Sequence, residues 1–369
     1  MPVVALDVMS GDAGLSVPIA AARRILAQGA ECQIILVGDE AAIRKELAKS
    51  SGNANDGDKW QIEHTNQVVA MDELPTRAVR KRDTSMRRAL ELVVEGRADA
   101  AVSAGNTGAL MGLGVLLLRV IEGISRPAIA AFIPNRTPEY SCCMLDLGAN
   151  VNCSAEMLRD FALMGSALSQ AVKQKNNPTV GLLNIGEEAH KGSETLKQVA
   201  DLLQADEHIN FVGNVEGHAI YGNADNHVDV VVCDGFSGNV ALKVSEGVAA
   251  MIRKMIHDAL RANWFFKLCS VLALPIFIRL RKNFDHRQYN GATFLGLRGV
   301  VVKSHGNADE VAFAAAIQCA IAAAKQKLPQ IIERYAAVAA AANPPPSVNA
   351  TTVTTTNEEA PATLSAQQA

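Results

Sequence analysis

The stretch Ala100–Leu118, AAVSAGNTGALMGLGVLLL, decides the fold class of this chain. An apolar run ends at Ser103, small polar residues follow as far as Gly108, and an apolar helix-like segment begins. A strand, a glycine-containing turn and a helix in that order form the repeating unit of an α/β sheet. The bare N–H groups at such a junction attract anions. The stretch has neither the Gly-Lys-Ser/Thr of a P-loop nor G-x-G-x-x-G, so it does not indicate a nucleotide.

Apolar, β-branched runs like the one before Ser103 recur along the chain. They cover residues 3–7, 32–38, 99–105, 128–134, 141–148, 179–186, 209–215 and 228–235. Segments with helical periodicity lie between many of them, at 17–28, 84–95, 154–174 and 193–204. Runs that are apolar throughout are typical of strands covered on both faces. The pattern predicts an α/β fold with a mostly parallel layered sheet and flanking helices.

Polar, glycine-containing loops follow the predicted strands. They read LDVMSGD, SAGNTG, DLGANVNC, NIGEEAHKG, NVEG, CDGFSGN and KSHG. In open α/β sheets, ligands bind outside the carboxyl ends of the strands, so these loops are expected to line one cleft at one edge. The alternative is that Gly, Asn and Asp serve only as turn and cap residues.

Charge, cysteine content and the N-terminal sequence exclude several classes of function. The formal charge of −3 argues against bulk electrostatic binding of nucleic acid. Seven cysteines without a C-x-x-C pair indicate neither a disulfide framework nor a zinc site. The N-terminus lacks a basic region and reaches Asp7 after a short apolar run, which predicts a first strand, not a signal peptide. These features predict a cytoplasmic protein.

The composition shifts to Ala, Pro and Thr from Ala336 onward. Three prolines at 344–346 stop any helix, and the remainder has little to bury. We therefore expect one catalytic domain over residues 1–335 and a disordered tail over 336–369.

Six motifs in order make the chain similar to a known family. They are SAGNTGALM, LDLGANVNC, NIGEE…KGSE, GNVEG, VVVCDGFSGNVALK and YNGATFLGLRGVVVKSHG, and together they resemble the bacterial phosphate acyltransferase family, PlsX, over about residues 3–325. The chain departs from the family pattern at Ser10, where Gly is usual, at Asn152, where Asp is commoner, and at Ser237, where Thr is commoner.

The resemblance implies reversible transfer of a long-chain fatty acyl group from acyl carrier protein to inorganic phosphate. The acyl phosphate product would serve an acyl-phosphate-using glycerol-3-phosphate acyltransferase in phospholipid synthesis. It also implies a homodimer whose fold is similar to those of phosphotransacetylases and isopropylmalate dehydrogenases.

This chemistry needs no protein nucleophile, because phosphate attacks the thioester itself. GFSGN falls one position short of the G-x-S-x-G elbow. A simple thiol has a pKa of roughly 8.5 and leaves with little acid help, so the protein must position phosphate and stabilise an oxyanion. We expect neither a cofactor nor an obligatory metal.

Polar residues of the loops are assigned to this chemistry. Lys191, Asn239 and His305 are the catalytic candidates, although each has a structural alternative as a surface cation, an N-cap and a structural histidine. Ser103, Asn106 and Thr107 are expected to present donors to phosphate. The candidates for phosphate and substrate binding are Asp7, Ser103, Gly105, Asn106, Thr107, Asn184, Glu187, Asn214, Glu216, Asp234, Ser237, Lys303 and Ser304.

The segment 251–284 is amphipathic and flanked by basic residues. Its apolar part contains Lys267 and Pro275 and is too short to span a membrane. One interpretation is a segment lying on an anionic bilayer, peripheral to the inner face of the membrane; the other is a helical hairpin in a core or dimer contact. The resemblance favours the membrane. The residues assigned to it are Trp264, Phe265, Phe266, Leu274 and Ile276.

A basic run, TRAVRKRDTSMRR, covers residues 76–88. It is either a docking surface for acidic carrier protein, through Arg80, Arg82 and Arg87, or a solvated helix face.

Two other functions remain open on the sequence. The fold analogy allows an NAD-dependent β-decarboxylating dehydrogenase, but its arginine-rich site and metal-binding aspartates are not found. A non-catalytic scaffold would need the basic run and the 251–284 segment without the polar loops.

Overall fold

The computed structural model describes residues 1–49, 60–137, 140–222, 227–261 and 290–342. Within these ranges, strands alternate with helices in the manner of an α/β fold. The strands are β1 Val3–Asp7, β2 Gln33–Gly38, β3 Trp60–His64, β4 Ala100–Ser103, β5 Ala128–Pro134, β6 Ser141–Leu145, β7 Thr179–Leu183, β8 Asn210–Val215, β9 Val230–Val232, β10 Ala292–Leu295 and β11 Val300–Lys303. The helices are α1 Ser16–Ala27, α2 Glu40–Lys49, α3 Pro75–Ala78, α4 Ser85–Val94, α5 Thr107–Leu118, α6 Ala155–Lys173, α7 Glu194–Ala205, α8 Gly235–Arg261, α9 Glu310–Lys325 and α10 Leu328–Ala342.

One sheet contains all the described strands, in the order β3-β2-β1-β4-β11-β10-β5-β6-β9-β7-β8. Most neighbouring strands are parallel, which confirms the predicted class. The pairs β11–β10, β10–β5 and β5–β6 are antiparallel. Three reversals in succession make β6 and the strands beyond it run opposite to β4 and the strands beyond it.

The sheet is covered on both faces because its strands carry apolar side chains on both sides. Val4 and Leu6 of β1 join one buried cluster, whereas Ala5 joins the other. The first cluster packs the sheet against α1, α6, α9 and α10, and the second against α4 and α5. A three-layer arrangement follows, since neither face of the sheet is left to solvent.

All eight predicted runs contain a strand, and three strands were missed. β3 is half-buried at the edge of the sheet, so it lacks the continuous apolar run that predicts the other strands. β10 and β11 were not among the eight predicted runs, although the loop KSHG begins at the end of the apolar residues of β11. The four predicted helices are present as α1, α4, α6 and α7.

The helical structure extends past residue 335, the predicted end of the catalytic domain. Helix α10 continues to Ala342, and Ala336 and Ala339 are each 3% exposed. Alanine has the strongest helix propensity and is small enough to pack closely, so an Ala-rich stretch extends the helix before the prolines. Residues 343–369 lie outside the described residues.

Helix α8 begins in very close contact with the loop after β6. A Cβ added at Gly238 would lie 1.9 Å from the backbone oxygen of Asp146. The N–H of Gly235 donates to the carbonyl of Asn150 at 2.7 Å. Only a residue without a side chain allows the helix to start there.

Among the described residues, no single helix is long and apolar enough to cross a membrane, although the bent pair α9 and α10 reaches that length together. The assigned membrane residues Trp264, Phe265, Phe266, Leu274 and Ile276 lie outside the described ranges. The described part of the 251–284 segment is the exposed end of α8.

We expect Gly238→Ala to destabilise the protein by several kcal/mol, because the added methyl group overlaps a backbone atom that cannot move aside. Gly247→Ala, on the same helix with nothing within 4 Å of its Cβ position, is the control and should stabilise by about 1 kcal/mol. Urea denaturation of both variants measures the difference. Equal stabilities would contradict the close contact.

Candidate active site

The polar loops leave the sheet at two edges, which corrects the expectation of one edge. The carboxyl ends of β1, β4 and β11 point one way, and those of β6, β7, β8 and β9 point the other, because the strand direction reverses between the two groups. We call the first set of loops, residues 8–15, 104–106 and 304–309, the β4–β11 cluster. The second set, residues 146–154, 184–193, 216 and 233–234, is the β6–β9 cluster.

Helix α8 connects the two clusters. It starts in the β6–β9 cluster, where Asn239 lies beside Gly148. Two turns later, a Glu246 carboxylate oxygen lies 3.6 Å from Nε2 of His305 in the β4–β11 cluster. The intervening two turns are about 10 Å long, so both clusters lie along one side of this helix.

At the β4–β11 cluster, Ser103 and Asn106, two of the predicted phosphate donors, instead donate hydrogen bonds to acceptors of the protein itself. Ser103 Oγ donates to Asp7 Oδ2 at 2.6 Å, and the N–H of Gly105 donates to Ser103 Oγ at 3.1 Å. Asp7 is fully buried, and its other oxygen, Oδ1, has no hydrogen-bond partner among the described residues. This arrangement does not fit the prediction that Ser103 offers its hydroxyl to phosphate.

Asn106 is likewise committed to the structure. Its Oδ1 accepts from the N–H of Ala109 at 2.9 Å and caps α5, while its Nδ2 donates to the carbonyls of Met71 and Glu73. The amide oxygen acts as the N-cap and the amide nitrogen is bonded to two carbonyls. The predicted phosphate contact of Asn106 is therefore not supported. Thr107, the next residue, is exposed at the start of the helix.

Lys303 lies at the end of β11, where its Nζ donates to the carbonyls of Ala104 and Ser304. Burial lowers the pKa of Lys303 to about 8; the carboxylates of Asp12 and Asp7 oppose the shift, and the charge of Lys243 adds to it.

Asn290, which sequence reasoning missed, fixes the loop after Lys303. Its Nδ2 donates to Ser304 Oγ and to the carbonyl of Ala312, both at 2.8 Å, and its Oδ1 accepts from the N–H of His305. Ser304 is thereby buried and bonded rather than free for substrate. No local signal marks Asn290, since its partners are distant in sequence.

In the β6–β9 cluster, Asp146 is the organising residue, and it too was missed. Its side chain is fully buried and accepts from the N–H groups of Ile129, Gly148, Ala149 and Asn150 and from the Asn150 amide. An Asp directly after a strand and before Gly-Ala-Asn is the signal that identifies such a loop, because short acidic side chains bind nearby N–H groups.

The loop that carries Lys191 is held by two asparagines. Asn184 Nδ2 donates to the carbonyl of Lys191 at 3.1 Å, and Asn214 Nδ2 donates to the carbonyl of Glu188 at 3.2 Å. Lys191 is partly exposed, and its Nζ has no partner among the described residues. The two predicted asparagines therefore position the loop, while the lysine remains available.

At the start of α8, one predicted residue likewise supports the backbone while another is left exposed. Asp234 accepts from the N–H and the hydroxyl of Ser237, both at 2.8 Å, and thus caps the helix. Asn239 is exposed, and its amide has no partner among the described residues. Glu187 is also exposed, whereas Oε2 of Glu216 lies 3.3 Å from Nδ1 of His218.

The predicted docking residues separate into two kinds. Arg80 and Arg82 are exposed. Arg87 is 13% exposed, with its guanidinium bonded to Glu91 at 2.7 Å and to the carbonyl of Val79. The Arg87 guanidinium is therefore engaged in the packing of α4, and its role in docking stays a prediction.

In the ranges that the structure describes, no three His, Cys, Asp or Glu side chains lie close enough together to hold a metal ion.

The fold places the chain in a structural class. A phosphotransacetylase from Streptococcus pyogenes has a TM-score of 0.60 with 16% identity, covering 88% of this chain and 94% of its own. A branched-chain phosphotransacylase from Enterococcus faecalis has a TM-score of 0.55 with 13% identity, covering 88% and 99%. The chain has the α/β fold that these proteins share, as the sequence resemblance implied.

The family follows from sequence comparison. The family described as "Fatty acid synthesis protein" matches residues 3–331. A phosphate acyltransferase of Halorhodospira halophila is 49% identical over 330 residues, covering 89% of this chain and 94% of its own. One from Methylococcus capsulatus is 47% identical, covering 90% and 96%. The chain belongs to this family, PlsX, and is an acyltransferase enzyme.

Lys303→Met tests the buried lysine through the pH dependence of stability. Below pH 8 Lys303 is charged in both states and its burial destabilises the fold; between pH 8 and 10.5 the folded chain loses the proton first, so this cost disappears as the pH rises. Between pH 8 and 10.5 the free energy of unfolding of the wild type should therefore rise by about 1–3 kcal/mol relative to that of Lys303→Met. Urea denaturation at pH 7.5 and pH 10, with Lys197→Met as the exposed control, measures it. If the stabilities of the wild type and of Lys303→Met changed equally with pH, the burial of the Lys303 ammonium would be contradicted.

Proposed function

We propose that the enzyme reversibly transfers a long-chain fatty acyl group from acyl carrier protein to inorganic phosphate, by direct attack of phosphate on the thioester. A phosphate oxygen bonds to the carbonyl carbon, the carbon–sulfur bond breaks, and the carrier leaves as a thiolate that takes up a proton. The product is an acyl phosphate for phospholipid synthesis. Membership of the family supports the acyl transfer, and the names of the relatives support phosphate as the acceptor.

The observation that carries direct attack is the state of the nucleophilic side chains. Burial raises the pKa of the thiols of Cys142, Cys233 and Cys319, raises that of Cys143 to about 12, and raises that of Cys153 to about 11. Such thiols are protonated at neutral pH and unreactive.

Two serines at the ends of the loops, Ser103 and Ser237, are not activated either. Each donates its hydroxyl to a carboxylate rather than to an imidazole base. Phosphate, which carries its own negative oxygen, supplies the nucleophile without a covalent acyl-enzyme.

Lys191 and Asn239 stabilise the developing oxyanion in this proposal. Lys191 lies in the β6–β9 cluster and Asn239 lies beside it in the first turns of α8, and the polar groups of both have no partner among the described residues. The loop of Lys191 is fixed by two asparagine amides, and Asn239 is fixed by the start of α8. Donors held in place before reaction cost no reorganisation when charge develops.

The partners belong to the same proposal. The exposed Arg80 and Arg82 offer positive charge for docking acidic carrier protein. The active form is a homodimer in the cytoplasm that associates peripherally with an anionic membrane, where an acyl-phosphate-using glycerol-3-phosphate acyltransferase consumes the product. The exposed apolar side chains Val244, Met251 and Met255 of α8 suit such contacts.

The reaction is tested with purified protein and palmitoyl-carrier protein, with and without inorganic phosphate. Free carrier thiol and acyl phosphate should appear together, in equal amounts, only when phosphate is present. Thiol release without phosphate would indicate a thioesterase. No release from an active carrier substrate would favour a scaffold.

Lys191→Met and Asn239→Ala should each lower kcat/KM by about a hundredfold or more, because each removes one group that stabilises the oxyanion. Both proteins should remain folded, since these side chains bond to no described residue. Lys197→Met is the matched control: its ammonium pairs with Glu194 on α7 at 2.8 Å and should leave turnover unchanged. Full turnover in Lys191→Met would remove this lysine from the mechanism.

A further inference from the structure

One side of α8 faces both loop clusters and carries charged residues that the proposed reaction does not use. Asn239, Lys243 and Glu246 are spaced i, i+4 and i+7, so they lie on one face of the helix. Asn239 is beside the β6–β9 cluster, and Glu246 contacts His305 of the β4–β11 cluster. Lys243 therefore lies between the two clusters.

The Glu246 carboxylate lies between two nitrogen groups. Its Oε2 is 2.8 Å from Nζ of Lys243, and its Oε1 is 3.6 Å from Nε2 of His305. The side chains of Lys243 and His305 are 58% and 52% exposed, so a small ion reaches this place from solvent. One carboxylate oxygen bonds to Lys243 and the other lies near the imidazole of His305, so the carboxylate occupies a position that two oxygens of a phosphate could take.

The charges around this point come from both clusters. The charge of Lys243 acts on the buried ammonium of Lys303, and the carboxylates of Asp12 and Asp7 act on it in the opposite sense. Two lysines on different elements repel each other, and a bound dianion relieves that repulsion. The carboxylate of Glu246 supplies only one negative charge in its place.

We propose that Lys243 is a binding residue for inorganic phosphate, in the position beside His305 that the Glu246 carboxylate occupies, and that Glu246 competes with phosphate for Lys243. This inference rests on the proposed function and deepens it. Lys243 is one turn, about 6 Å along the axis, from Asn239. Phosphate held there lies next to the amide that stabilises the acyl oxygen, so nucleophile and thioester meet on one helix face.

Two substitutions with opposite expected effects test the competition. Lys243→Met should raise the KM for phosphate about tenfold, because a charge-assisted contact is lost. Glu246→Gln should lower that KM about two- to threefold, because a competing negative charge is removed. Lys243→Arg, which keeps the charge, should restore most of the affinity. The KM for acyl carrier protein should stay unchanged in all three.

The matched controls are Lys254→Met and Asp258→Asn. These residues form an exposed pair on the same helix at 2.9 Å, with the same charges as Lys243 and Glu246. They lie about 16 Å further along the axis, beyond the screening length at physiological salt, so neither should change the KM for phosphate. Equal effects of the controls and of the Lys243 and Glu246 variants would overturn the proposal.

Titration calorimetry with inorganic phosphate alone separates this inference from the proposed function. Wild type should bind phosphate, Lys243→Met more weakly and Glu246→Gln more tightly, without any acyl donor present. Absence of phosphate-dependent thiol release from wild type would sink the proposed function, whereas the titration still decides the role of Lys243. An unchanged affinity in Lys243→Met, or a weaker one in Glu246→Gln, would overturn the inference.

Discussion

A single buried carboxylate, Asp146, holds the part of the molecule on which the rest of the site depends. Its two oxygens accept five hydrogen bonds, which close the loop after β6. The carbonyl of Asn150 in that loop then receives the first N–H of α8, and the loop backbone packs against Gly238. The position and direction of α8 follow from these contacts, because a buried carboxylate must keep its hydrogen bonds and Gly238 packs closely against the loop backbone.

Helix α8 matters because the sheet separates the polar loops into two groups. Three successive antiparallel pairs send the carboxyl ends of the strands to opposite edges. Helix α8 starts at one of these edges and reaches His305 at the other, so both groups of loops border one surface along the helix. Along it, groups bonded within the protein, such as Ser103 and Asn106, support the loops. Groups left with few or no internal bonds, such as Lys191 and Asn239, are the ones the proposed chemistry uses.

Much of the fold was predictable because it depends on local patterns. Continuous apolar runs located the central strands, and helical periodicity located α1, α4, α6 and α7. The edge strand β3 was not predicted because half-burial removes the continuous apolar pattern, and β10 and β11 were not predicted either. The candidate site was predicted less well. Residue types marked the polar loops, but the same amide can cap a helix, as that of Asn106 does, or remain exposed without a partner among the described residues, as that of Asn239 does.

The sequence by itself determined the α/β class, the loops that carry polar residues and, through six ordered motifs, the family. These properties are encoded in short stretches, where side-chain polarity and backbone propensity act between near neighbours. Only the tertiary structure decided that the Arg87 guanidinium bonds to Glu91, that Asn290 fixes the Lys303 loop, and that Lys243 lies between the two clusters. Each of these depends on which strands pair and in which direction, and pairing is set by the burial of the whole sheet rather than by any one segment.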